Sequence, residues 1–202
     1  MSDIEIREPI QKRSIETKEK IIKAGFDLIC NEGYYKTNTS KIAKKAGVST
    51  GIVYQYFKDK HDIFIRGLEK YADSIFYPSF DIFDIEFNKE NMSNIINEII
   101  KKYISNHKLS SIAHEEITAM THSDKDVAYY FYKREMKMTS LLSEYFIKNG
   151  YDAPNIKEKV HLIIGIIDNL CHEIVYHKHE ELDYDIMKKI VVNDIVYILE
   201  KE

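Results

Sequence analysis

The residues best suited to touch another molecule crowd into one short stretch of this 202-residue chain. Between Lys36 and Lys60, six basic residues stand against a single acidic one, Asp59. Ser49, Thr50, Gly51, Tyr54 and Gln55 are interleaved with them, and these short or flat groups can approach bases and phosphates closely. Lysines gripping phosphate, with small polar groups set against base edges, is the chemistry this mixture supports. Bond-making chemistry has no comparable cluster. The sequence contains no phosphate-binding glycine loop, nucleophile elbow or HExxH pair, so no catalytic residue is assigned and no enzyme is expected.

The elements that must position these groups are short helices. The string from Thr39 to Phe57 predicts a helix over 39–46, capped by Thr37 or Asn38, with Ile42, Ala43 and Ala46 facing inward. Gly47-Val48 makes a turn, and Ser49 caps a further helix ending near Phe57. That is a helix-turn-helix over about 38–57. Ala43 is the small residue where the helices cross, and Ile42, Val48, Val53 and Phe57 are the apolar anchors. With Val53 and Phe57 turned inward, Thr50, Gly51, Tyr54 and Gln55 point outward. An ordinary helical hairpin uses Ala and Gly at the same spacing; the exposed Tyr54 and the cluster Lys41, Lys44, Lys45, Lys58 and Lys60 favour DNA.

The rest of the chain fits an all-α protein of about nine helices. Seven Gly and three Pro are too few for the many turns of an all-β chain. Residues 1–13 read as an arm, and 14–31 as a first helix carrying Ile15, Ile21, Ile22, Phe26, Leu28 and Ile29, stopped by Gly33. Asp59 and Asp62 begin a fourth helix, with Ile63, Phe64, Gly67, Leu68 and Tyr71 on one stripe, ending before Pro78. Residues 78–92 read as a connection. Long helices follow at about 93–106, 109–122, 124–149, 156–178 and 184–200.

Charge divides the chain. Residues 1–60 hold 12 Lys and Arg against 8 Asp and Glu, whereas 61–202 hold 17 against 25, within a net charge of −4. A basic head on an acidic body is expected when one end meets phosphate. Cys30 and Cys171 form no CxxC pair and read as buried, reduced thiols. No run reaches the roughly 20 apolar residues of a membrane span. Met1-Ser2-Asp3-Ile4-Glu5 lacks a signal peptide's basic start and apolar run, so a cytoplasmic location and no membrane partner are expected.

Residues 14 to about 70 closely resemble the DNA-binding head of the TetR/AcrR family of transcriptional regulators. The likeness runs through Ala24 and Phe26, then Asn31-Glu32-Gly33-Tyr34 and Thr37, then Ile42 to Ser49, Gly51 to Phe57, and Lys60. It implies an N-terminal three-helix helix-turn-helix head, residues 1–60, joined to a C-terminal helical ligand-binding and dimerisation domain, 61–202. It implies that Thr39, Thr50, Gly51 and Ile52 face the major groove. Tyr54, Tyr56 and Lys60 would hold phosphates, with the Lys60 amide aimed at one from a helix N-terminus. Lys41, Ser49 and Gln55 complete the expected DNA-binding set. Family members often carry Lys at position 50 and His at 55 or 56; here Thr50, Gln55 and Tyr56 stand, so the operator sequence is open. The implied partners are a double-stranded DNA operator, a second subunit and a small-molecule effector of unknown identity, with release from a palindromic operator. The alternative is control by a protein partner, or an architectural role.

In the acidic body, Val160, Ile163, Ile167, Leu170 and Ile174 form one apolar stripe, and Ile190, Ile195 and Ile198 belong to another. Two such stripes suit a four-helix dimer seam, though internal core explains them as well. Among the aromatics of the middle helices, Tyr103, Tyr130 and Phe131 are the candidate effector-pocket walls. Asp168, interrupting an apolar run, is their candidate polar partner. The histidines near His172, His177 and His179, and near His114 and His122, match no metal motif, so no metal ligand and no cofactor is assigned.

Overall fold

The structure is a computed structural model, and it describes residues 11–76, 87–107, 109, 111–151 and 153–200. Among these the chain is all-helical: α1 (Lys12–Glu32), α2 (Thr39–Ala46), α3 (Thr50–Tyr56), α4 (Lys60–Phe76), α5 (Met92–Asn106), α6 (Ser111–Ser123), α7 (Lys125–Lys148), α8 (Ile156–Tyr176) and α9 (Tyr184–Glu200). The expected boundaries agree to within a few residues. Most of the N-terminal arm, and the connection around Pro78, lie outside the described residues.

The chain divides into two compact units, Met1–Asp73 with Leu109–Val127, and Ser74–Lys108 with Ala128–Glu202. The first is wider than residues 1–60. It holds α4 as far as Asp73, because Ile63, Phe64 and Leu68 are fully buried. It also takes in α6, which packs on α1.

Within the first unit, Ile21, Ile22, Leu28, Ile42, Ala43, Val53, Phe57 and Ile63 share one core. Helix starts are set by side chains that answer otherwise orphaned amides. Asn38 accepts from the Lys41 amide, and Ser49 from the Ile52 amide. Asp59 Oδ1 accepts from the Asp62 amide, while Asp62 Oδ2 accepts from the Lys58 amide. Gly47 ends α2 at φ 70°, in the left-handed region. There the Val48 amide donates to the Ala43 carbonyl at 3.0 Å and the Gly47 amide to Lys44 at 3.3 Å, the paired bonds of a Schellman ending.

Helices α1 and α4 approach closely at two glycines, one on each. A Cβ built on Gly67 would sit 2.6 Å from Phe26 Cβ, and one on Gly25 would strike the Ile63 side chain, so neither position has room for a Cβ as its neighbour stands.

The second unit has its own core, built from Ile96 and Ile100 of α5, Tyr145 and Phe146 of α7, and the inner faces of α8 and α9. Most of the apolar set expected at a dimer seam lies within this core. Val160, Ile163, Ile167, Leu170 and Ile195 are buried inside the chain's own unit, and Ile174 and Ile198 pack half-buried against the same core. Of that expected set only Ile190, 52% exposed, faces outward. The reason is α5, which packs on both α8 and α9 and consumes their apolar stripes. The outward apolar residues of these two helices are instead Leu162, Ile186, Ile190 and Tyr197.

Candidate nucleic-acid interface

Helix α3 is anchored by its inward residues and presents the others. Val53 is fully buried, and Phe57, just past the helix end, is 1% exposed. The outward face carries Gly51, Tyr54 and Gln55 exposed, with Thr50 half-buried at the helix start. Ile52, expected to face the groove, and Tyr56 are both half-buried and pack partly on the head core. They therefore share themselves between packing and surface. Ser49 is exposed, but its hydroxyl is taken up in capping α3.

Tyr54 is held in place across the motif, its hydroxyl lying 3.0 Å from Thr39 Oγ1 at the start of α2. Gly51 leaves the surface bare, since a Cβ there would meet nothing closer than Ser49 Oγ at 3.8 Å. Packing within the head therefore leaves room for a larger side chain at that position.

The basic residues sort into tethered and open ones. Lys41 Nζ donates to Glu32 Oε2 at 2.8 Å and to the Lys36 carbonyl at 3.0 Å. The Lys41 hydrogen bond and charge hold the Glu32 carboxyl below its ordinary range. Lys45 lies 3.9 Å from Asp27, and Lys44 and Lys58 are exposed.

Lys60 departs from expectation. Its ammonium points inward, donating to the carbonyls of Tyr34 at 2.7 Å and Thr37 at 3.0 Å, 4.2 Å from the centre of the Tyr34 ring. Burial lowers its pKa. The side chain therefore ties α4 to the α1–α2 connection, and its backbone amide stands in the first turn of α4. The Tyr34 carbonyl also accepts from the Thr37 amide at 3.3 Å, so the ammonium adds a second donor to the turn that links α1 to α2.

Sequence reasoning missed α1's contribution. Arg13, Thr17 and Lys20 border one open cleft of about 830 Å³ together with Ser49, Gln55 and Tyr56. Their spacing of four and three residues places them on one helix face, a signal present in the sequence but outside the motif.

In the second unit, two of the four expected pocket residues meet. The Tyr103 hydroxyl donates to Asp168 Oδ1 at 2.5 Å, and His172 Nδ1 lies 3.4 Å from Asp168 Oδ2. His107, unnoticed in the sequence, joins them through its ring contacts with Tyr103 and His172. Burial lowers its pKa, which outweighs the hydrogen bond to the Tyr103 carbonyl. Tyr130 and Phe131 sit half-buried on α7, where Tyr130 accepts from Arg134 at 3.3 Å.

Residues 21–66 match the family model of bacterial regulatory proteins, tetR family. The fatty acid metabolism regulator protein of Bacillus subtilis (strain 168) is 34% identical over 99 residues, 48% of this chain and 51% of that protein. The chain thus spans about half the length of this relative, and about a quarter of others such as the transcriptional regulator HbdR of Aromatoleum, 44% identical over 59 residues (29% of this chain, 26% of that protein). Among solved structures, the fatty acid degradation regulator FadR from Bacillus halodurans aligns over 92% of this chain and 97% of its own, at 24% identity and TM-score 0.63. At that identity the likeness is one of fold.

Proposed function

We propose that this chain, which carries the head of the TetR family of bacterial regulatory proteins on an all-helical body, is a DNA-binding transcriptional regulator and not an enzyme. The observation that carries the reading is the face of α3: Thr50, Gly51, Tyr54 and Gln55 are turned outward by the burial of Val53 and Phe57. Thr50, Gly51 and Gln55 lie against base edges, with Ile52 beside them. Thr39 faces the major groove with them, while Tyr54, Tyr56 and the Lys60 amide meet phosphate. Arg13 and Lys20 supply further positive charge at the rim of the same cleft, exposed Lys44 adds to it from α2, and Lys41 and Ser49 act by holding the motif in shape.

The chain works as a homodimer, with two copies of α3 entering successive major grooves about 34–36 Å apart on a near-palindromic operator. The outward face of Leu162, Ile186, Ile190 and Tyr197 on α8 and α9 is the subunit seam. It behaves as a repressor that a small molecule releases. The names of two of its likenesses refer to fatty acid metabolism and degradation, which makes a compound bearing an acyl chain the first effector to try. The polar group Tyr103–Asp168–His172, set in the apolar unit of α5 and α8, suits the polar end of such a compound.

Selection of binding sites from random duplex DNA, followed by footprinting, tests the reading. A protected two-fold symmetric site is expected; binding without any preferred sequence would remove it. Dissociation of that complex by a fatty acid or its thioester separates the effector-released repressor from the alternative, a DNA-binding protein controlled by a protein partner.

A further inference from the structure

We propose that His61, Asp124 and Asp126 bind a divalent transition-metal ion, of the class of Zn²⁺ or Mn²⁺. All three belong to the unit that holds the head. His61 stands in the first turn of α4; Asp124 and Asp126 stand where α6 gives way to α7. His61 Nε2 lies 2.9 Å from Asp124 Oδ2 and 4.0 Å from Asp126 Oδ2, and one ligand atom from each residue lies within 4.8 Å of the others. Donors bonded at about 2.1 Å to one ion stand roughly 3–3.5 Å apart. The Asp124 pair, now at hydrogen-bond distance, needs only a slight opening to reach that spacing. Asp126, with its side chain 78% exposed, closes the remainder by a change of rotamer.

The two carboxylates are placed for different tasks. Asp124 Oδ1 accepts from the amides of Asp126 at 3.0 Å and Val127 at 3.1 Å, capping α7, which leaves Oδ2 turned to His61. Capping thus fixes the carboxylate's orientation without using its ligand atom, as outer hydrogen bonds do at metal centres. The cap and the histidine pair need Asp124 alone. Asp126 adds a second carboxylate beside the same nitrogen, and that completes a ligand set. One imidazole and two carboxylates balance a dication's charge, and mixed nitrogen and oxygen donors select transition metals over Ca²⁺ and Mg²⁺. The open side leaves positions for water. A bound ion ties the helix following α3 to the α6–α7 junction.

The test uses the untagged full chain, stripped with chelator and titrated with Co²⁺, read by its visible absorption, and with Zn²⁺, read by calorimetry. One ion per chain is expected to bind. His61→Asn and Asp126→Asn should each weaken it by at least about tenfold while helical content stays unchanged. Asp126 is exposed and its side chain is not part of the cap, so Asp126→Asn keeps the test valid even if His61→Asn folds poorly. No binding by the wild type at millimolar metal overturns the site, as does unchanged affinity in Asp126→Asn. The experiment needs no DNA, so its failure leaves the regulator reading standing.

Discussion

Tyr54 on α3 and Thr39 on α2 share a hydrogen bond of 3.0 Å between their hydroxyls. The bond spans the turn at Gly47 and fixes the Tyr54 hydroxyl on the exposed side of the motif. Its partners stand at an exposed site where water competes, so its own worth to folding is about 1 kcal/mol or less. Tyr54→Phe and Thr39→Val are each expected to leave the melting temperature nearly unchanged and to weaken DNA binding about three- to tenfold on every sequence. The double variant should lose little more than either single one. Strict additivity in gel-shift titrations would dissolve the link.

Two glycines predict opposite outcomes. Gly51 has open space where a Cβ would go, and alanine is the better helix former by about 1 kcal/mol. Gly51→Ala should therefore fold at least as stably as the wild type while binding DNA more weakly. Gly67 faces Phe26 Cβ at 2.6 Å, an atom that moves only with the α1 backbone. Gly67→Ala should cost about 1–3 kcal/mol by urea unfolding. Equal effects in the two variants would refute this account of both positions.

The outward and inward residues of α9 separate assembly from folding. Ile190 is 52% exposed and Ile195 is 1% exposed. Ile190→Glu is expected to yield folded monomers by light scattering. Ile195→Ala should instead lower stability by about 2–5 kcal/mol. Dimers surviving Ile190→Glu together with Leu162→Glu would place the seam elsewhere.

Both thiols should be silent in the folded protein. Burial, with the charges of Asp27 and Glu116 adding to it, pushes Cys30 up to about 12; burial and Asp168 do the same for Cys171. Since only the thiolate reacts, a thiol reagent at pH 8 is expected to label neither cysteine until urea unfolds the chain. Rapid labelling under native conditions would contradict the burial of these side chains.

Lys60→Met keeps the stem and removes the ammonium that binds the Tyr34 and Thr37 carbonyls. If the side chain is a tether, the variant loses about 1–3 kcal/mol of stability, and DNA binding measured well below its melting point falls little. Unchanged stability with a large loss of affinity would restore Lys60 as a phosphate contact.

The helices and the recognition motif were legible in the sequence because their causes are local. Apolar residues at helical spacing, the caps at Asn38, Ser49 and Asp59, and the turn at Gly47 each act within a few residues. The outward set of α3 followed as soon as Val53 and Phe57 were seen to share one face. What lay beyond was decided by which faces meet. An apolar stripe on α8 reads the same whether its neighbour is a second subunit or α5, and only the packing of Ile96 and Ile100 against it made Val160 to Leu170 internal. A lysine beside a helix start reads as exposed, and only the tertiary structure shows its ammonium on the Tyr34 and Thr37 carbonyls. Tyr103 with Asp168, 65 residues apart, and His61 with Asp124, 63 apart, are neighbours that no spacing announces. Local periodicity thus determined the elements and the exposed face of α3, and tertiary packing alone decided which polar and apolar groups of the body lie inward and which outward.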